Sequence, residues 1–266
     1  MRKDIKTRKM TRRSSFLHKT LELTIPEGWD KLTKDQQLRM IELLCLYKDS
    51  ADWQNKVRIA AVMYFTSLSF ERQVEGGWIC TKDGYTVLIK DSDLPAIFEA
   101  TDWLLHPEDM RCRIESFGPY HAHRFDLRGL KFGKFLELDN YFAGYIQTKD
   151  RASLEQMTRI LYHIDDKEKV VFSETILLAT FLWFSAAKKM LGDWFPKFLK
   201  PQPSNEEEGE ELSQFEKMQL QIRLLTKGDV TKVQAVLDAD TWDAFSELDA
   251  QAKEAEELRK LRHKKK

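Results

Sequence analysis

Ile176-Leu-Leu-Ala-Thr-Phe-Leu-Trp-Phe-Ser-Ala-Ala187 runs for twelve residues without a charge. Spanning a bilayer takes about twenty predominantly apolar residues. Here Glu174 on one side and Lys188-Lys189 on the other close the stretch too soon. A helix apolar on every face and this short belongs at the centre of a bundle. The segment therefore predicts a buried helix from about Ser173 to Leu191, and no membrane association.

The rest of the chain supplies material to bury it. The 266 residues are 42% hydrophobic, with 16 Phe and 7 Trp, while Gly (11) and Pro (7) are scarce. Few breakers among many Leu, Lys, Glu, Gln and Ala favour helices over a turn-rich β fold. Thr33-Lys-Asp-Gln36 has the form of a capping box and opens a helix to about Lys48. Trp53, Val57, Ala60, Ala61, Tyr64 and Leu68 recur at helical spacing and give a second. Leu94 to Leu105, Leu136 to Ile146 and Leu154 to Ile164 read as further helices, the last capped by Ser153. Residues 116–135, Gly-rich and aromatic, read as an ordered loop that packs its rings onto the helices.

The β signal is local. Trp78-Ile-Cys-Thr81 and Tyr85-Thr-Val-Leu-Ile89 flank Asp83-Gly84, a dipeptide suited to a hairpin turn with positive φ. A lone hairpin is marginal, so it needs a third strand. Leu21–Ile25 and Arg111–Glu115 are the candidates.

Residues 201–211 (PQPSNEEEGEE) carry two Pro and five acids and read as a linker. Three helices are expected beyond it, over 212–225, 230–237 and 241–262, with Asp229 and Asp240 capping the second and third. The expected organisation is thus a basic flexible arm (1–20), a mainly helical domain with a β-hairpin or short sheet (21–200), an acidic linker (201–211) and a helical C-terminal module with a basic end (212–266).

A formal charge of zero conceals a segregated chain. Residues 1–19 carry eight basic side chains, among them Arg2, Lys3, Lys6, Arg8, Lys9, Arg12 and Arg13, against Asp4. Arg259 to Lys266 add six more, leaving residues 20–258 at −13. Cationic ends attract polyanions or acidic surfaces, so nucleic acid binding through the termini is one reading. Cys45, Cys80 and Cys112 form no Cys-x-x-Cys pair. With no apolar signal segment after the basic start, they read as core thiols in a reducing cytoplasm.

Chemistry-bearing motifs are sparse. No phosphate-binding glycine loop and no nucleophile elbow occur. His121-x-His123 with Asp126 nearby is the metal candidate, and His163-Ile-Asp165-Asp166 could add ligands if the fold brought it close. The simpler reading makes these histidines hydrogen-bonding fillers of an aromatic loop, and the acidic run a solvated turn. The expectation is therefore no catalytic residue, no cofactor and no metal. Trp242, Phe245, Leu248 and Ala252 form a narrow apolar stripe on an otherwise charged helix, and this is the expected partner-binding surface.

Three stretches carry a family resemblance. They are Trp29-Asp-Lys-Leu-Thr-Lys-Asp-Gln36; Phe135-Leu-Glu-Leu-Asp-Asn-Tyr-Phe142 with Leu154, Leu161 and Tyr162; and Leu225-Thr-Lys-Gly-Asp-Val-Thr-Lys232 with Val236, Leu237 and Trp242. Their order resembles phage and prophage proteins of Bacteroidetes from structural gene modules. The last segment is similar to small helical tail-assembly chaperones of tailed phages. The resemblance implies a non-catalytic cytoplasmic protein of tail or virion assembly that binds apolar stretches of a tape-measure or other structural protein. A virion-packaged, nucleic-acid-associated accessory protein is the alternative.

Overall fold

The computed structural model describes residues 4–5, 8–10, 21–22, 24–107, 110, 113–199 and 213–264. The fold is mainly α with small antiparallel sheets. Contacts divide it into two compact units, Met1–Met110 and Arg111–Lys266.

The first unit contains β1 (Asp4–Ile5), β2 (Arg8–Met10), β3 (Leu21–Glu22), α1 (Lys34–Tyr47), α2 (Trp53–Thr66), β4 (Ser69–Val74), β5 (Gly77–Lys82), β6 (Tyr85–Lys90) and α3 (Leu94–Ala100). The capping box forms as expected: Gln36 N–H donates to Thr33 Oγ1 at 3.3 Å, and Thr33 N–H to Gln36 Oε1 at 2.9 Å. At the β5–β6 turn Asp83 and Gly84 have φ of 50° and 77°, the left-handed pair that matches the twist of a two-residue hairpin.

The third strand is neither candidate. β4 pairs with β5, and β2 pairs with the far side of β6, giving the order β2-β6-β5-β4. Leu21–Glu22 pairs with Asp4–Ile5 instead, and residues 113–115 form no strand. Ser69-Phe-Glu-Arg-Gln-Val74 escapes pattern reading because an exposed edge strand has no face obliged to be apolar. Val62, Leu68, Cys80, Val87, Ile89 and Ile97 form the core under the sheet. Trp29 is buried edge-to-face on Trp103 at 5.4 Å, its Nε1–H donating to the Trp103 carbonyl at 3.1 Å.

The second unit contains β7 (Ser116–Phe117), β8 (Tyr120–His121), α4 (Phe132–Thr148), α5 (Arg151–Leu161), α6 (Glu174–Trp194), α7 (Pro196–Leu199), α8 (Gln214–Thr226), α9 (Val233–Asp238) and α10 (Thr241–Lys264). α6 is the expected central helix, and no residue from 176 to 188 is exposed. Its polar Thr180 is accommodated by donating to the Ile176 carbonyl at 2.9 Å and meeting the Thr158 hydroxyl at 3.2 Å. The aromatic loop packs onto it. Trp183 Nε1–H donates to the Phe125 carbonyl, and the buried Tyr162 hydroxyl donates to the Ile114 carbonyl at 2.7 Å. The α5 cap is Asp150, which accepts from Ala152 N–H, rather than Ser153. No described helix is long and apolar enough to cross a membrane.

The expected domain boundary at 201–211 is not where the chain divides. Those residues lie outside the described ones, but α8–α10 belong to the same compact unit as α4–α6. A short antiparallel bridge between Lys131 and Asp240 ties them, with Phe132 N–H donating to the Ala239 carbonyl at 2.8 Å and Thr241 N–H to the Leu130 carbonyl at 2.9 Å. A composition break marks a polar connection. It does not report whether the flanking helices share a core.

Candidate partner-binding site

The stripe expected to face a partner is internal packing. Phe245 and Leu248 are buried, and the Phe245 ring lies 4.9 Å from Phe135, 5.7 Å from Phe195 and 5.9 Å from Phe198. Trp242 is half-buried: its Nε1–H donates to the Asp126 carbonyl, and the Arg128 guanidinium sits 4.2 Å from its ring centroid. Ala252 is half-buried as well. A narrow stripe suffices because α7, α8 and α4 all pack on α10, while side chains such as Asp243, Ser246 and Glu247 stay exposed.

One apolar surface that stays open lies on α8. Ser213 caps this helix with a full capping box to Glu216, and Gln214 Nε2–H donates to Asp139 Oδ2 at 2.7 Å. Asp139 also pairs with Lys188 of α6, so one half-buried carboxylate fixes the start of α8 to α4 and α6. Ile222 and Thr226 point into the core. Leu220 and Leu224, one turn apart, remain 46% and 40% exposed, and Val230 after the helix is 81% exposed. A groove of about 600 Å³, walled by α10 through Ala250 and Gln251, is lined by both leucines, and a second of about 580 Å³, walled by Val230 and Val233, is lined by Leu220. Arg223 and Lys227 face Glu247 and Glu254 across the first groove, so its rim carries both signs.

Local chain chemistry sets this face. Lys227 (φ 54°) and Gly228 (φ 81°) turn the chain at the end of α8, and Gly228 N–H returns to the Arg223 carbonyl at 3.1 Å. Asp229 then caps the following 3₁₀ turn by accepting from Thr231 N–H at 3.0 Å. The Thr226-Lys-Gly-Asp229 segment is, physically, a helix stop joined to a helix start.

α10 continues past the packed body. Arg259, Lys260 and Arg262 are exposed on its last turns, with Leu258 and Leu261 beside them. Upstream, Glu256 is held down at about 2 by Lys197 and Lys260. Of the N-terminal basic residues, Arg8 and Lys9 belong to β2. Arg2, Lys3, Lys6, Arg12 and Arg13 lie outside the described residues.

The fold does bring His163 to His123, their ring centroids 4.8 Å apart, while His121 sits exposed in β8. Burial, then the neighbouring His163, lower the His123 pKa below its ordinary value; Asp240 and Asp126 oppose this and Arg113 adds to it. Among the described residues no group of three or more His, Cys, Asp or Glu side chains is placed to hold a metal ion. Cys112 lies outside the described residues. Cys80 is a core thiol whose pKa is pushed up by burial and by Glu71, and Cys45 is half-buried.

Fold and surface together define a mainly helical protein whose second unit presents partly exposed leucines on α8 and exposed cationic side chains at the end of α10. No family model, curated protein or solved structure matches the chain.

Proposed function

We propose that this is a non-catalytic binding protein of phage or prophage assembly, which captures an apolar helical stretch of a structural protein such as a tape-measure protein on the α8 face. The single observation that supports this reading is the pair Leu220 and Leu224, half exposed on a capped helix and both lining one groove. Leucines one turn apart match the i, i+4 spacing of a partner helix. Burying a Leu side chain fully is worth roughly 1.5–3 kcal/mol, and both are already half covered. Together with Val230 they supply only about 3–4 kcal/mol before the cost of association. That magnitude suits a partner held transiently and handed on.

The test is co-purification of the full chain with segments of a phage tape-measure protein. Leu220→Glu with Leu224→Glu should abolish capture while leaving helicity and melting unchanged. Capture that survives the double change removes this reading. The nucleic-acid alternative, favoured by the exposed Arg259, Lys260 and Arg262, predicts DNA or RNA binding that falls steeply with salt and weakens on truncation after residue 257. Absence of binding at low salt disposes of it.

A further inference from the structure

The first unit holds a second open surface of different character. On the helix-facing side of the sheet, α2 and α3 cover β5 and β6 through Val62, Met63, Ile97 and Phe98, which pack on Cys80, Val87 and Ile89. Among the described residues, no comparable helix lies over β4. Cross-strand partners share a face of a sheet, and Phe70 stands opposite the core residue Cys80, with Gln73 opposite Trp78. Phe70 therefore points to the helix side, yet it is 56% exposed. Between this bare strip and the α1–α2 pair runs an open trench of about 670 Å³, lined by Leu46, Ile59, Met63, Tyr64, Phe70 and Trp78. Leu46 at its α1 rim is 70% exposed. Walls so open do not enclose a small molecule, whose sites typically bury about 70–90% of the ligand.

Two further observations narrow the occupant. β4 is the last strand of its sheet, but the register shifts between Phe70 and Arg72, and Glu71 and Arg72 lie on it. A bulge and charges both blunt an edge against pairing with another strand, which leaves side-chain packing as the mode of filling. The charged side chains that line the trench are Arg39 and Lys56. Arg39 shares its charge with Glu42, whereas Lys56 donates to the neutral Ser50 hydroxyl.

We infer that this trench is a docking site for an amphipathic helix of a partner protein, apolar at i, i+3, i+4 and i+7 and acidic along the flank that meets Arg39 and Lys56. The helix would complete the helical layer over β4. This site is separate from the α8 face and does not depend on it.

The test uses the full chain and labelled model peptides of three turns, read by fluorescence anisotropy. One peptide has leucines at the helical spacing and glutamates elsewhere. A second carries lysine at every glutamate, and a third alternates leucine and glutamate in strand fashion. The acidic helical peptide should bind at least tenfold more tightly than the other two. Leu46→Glu and Phe70→Glu, at positions exposed enough to keep the fold, should each weaken it tenfold or more. Lys56→Glu should narrow or reverse the charge preference. Leu220→Glu with Leu224→Glu should change nothing, which separates this site from the α8 face. Equal binding of acidic and basic helices, tighter binding of the alternating peptide, or indifference to Leu46→Glu and Phe70→Glu overturns the inference. So does sedimentation showing a dimer of the full chain that Leu46→Glu dissociates, since the occupant is then a second copy.

Discussion

Phe245→Ala distinguishes a stripe that belongs to the core from one that waits for a partner. The ring is fully buried and sits among Phe132, Phe135, Phe195 and Phe198, with centroids 4.9 to 6.0 Å away. Truncating a buried Phe costs about 3–5 kcal/mol through lost transfer energy and the cavity left behind. The edge-to-face pairs put this site toward the upper end of that range. In a unit of this size one kcal/mol moves the melting temperature by roughly 2–4 °C, so the drop should be on the order of 10 °C. Circular dichroism melts in the far and near ultraviolet, on the wild type and on Phe245→Ala, provide the measurement. Leu224→Ala, on the exposed face, should stay within about 0.5 kcal/mol of the wild type. A Phe245→Ala protein that melts within 2 °C of the parent would refute the internal-packing account and restore the stripe as a partner surface.

Asp139→Ala should cost about 1–2 kcal/mol, because it removes charge-assisted bonds to Lys188 and Gln214 that are only partly shielded from water. Hydrogen exchange should quicken in α8 while α5 keeps its protection; uniform loss would mean that Asp139 does not anchor α8. Since His123 has a lowered pKa in the folded chain, the unfolded state binds more protons between that value and about 6.5. Stability from this site is therefore complete above about pH 6.5 and is lost as pH falls through that window. Urea midpoints at pH 7.5 and pH 5 should differ more for the wild type than for His123→Gln, and equal differences refute the assignment. Gly84→Val places a β-branched residue at φ 77° and should cost roughly 1–2 kcal/mol. Gly84→Asn should cost much less, and equal effects in equilibrium unfolding would mean that the turn geometry is not limiting.

Elements whose physics is local were legible in the residues. The Thr33–Gln36 capping box, the left-handed turn at Asp83-Gly84, the Asp229 and Asp240 caps and the all-round burial of α6 depend on neighbours a few positions away. Ser69–Val74 was invisible for the converse reason: as an exposed edge strand it carries no apolar alternation, and its identity as a strand comes from pairing with Gly77–Lys82. The Trp242, Phe245, Leu248 stripe was correctly read as apolar and wrongly assigned to a partner. Periodicity reports that one face avoids water. It cannot say which surface covers it.

That limit separates the two levels of description. Composition and short-range spacing determined a mainly helical chain with a buried central helix, a tight hairpin and cationic ends, because capping, turn conformation and helical amphipathicity are settled within about one turn of chain. Which apolar faces are satisfied was decided by tertiary contacts alone. The Lys131–Asp240 bridge, more than a hundred residues apart in sequence, brings α10 against α4 and so closes the Trp242 stripe. Leu220 and Leu224 on α8, and Phe70 on β4, stay partly open because the described elements of their own units cover them only in part. An uncovered face is a property of what is absent beside it, and no local pattern of residues encodes that.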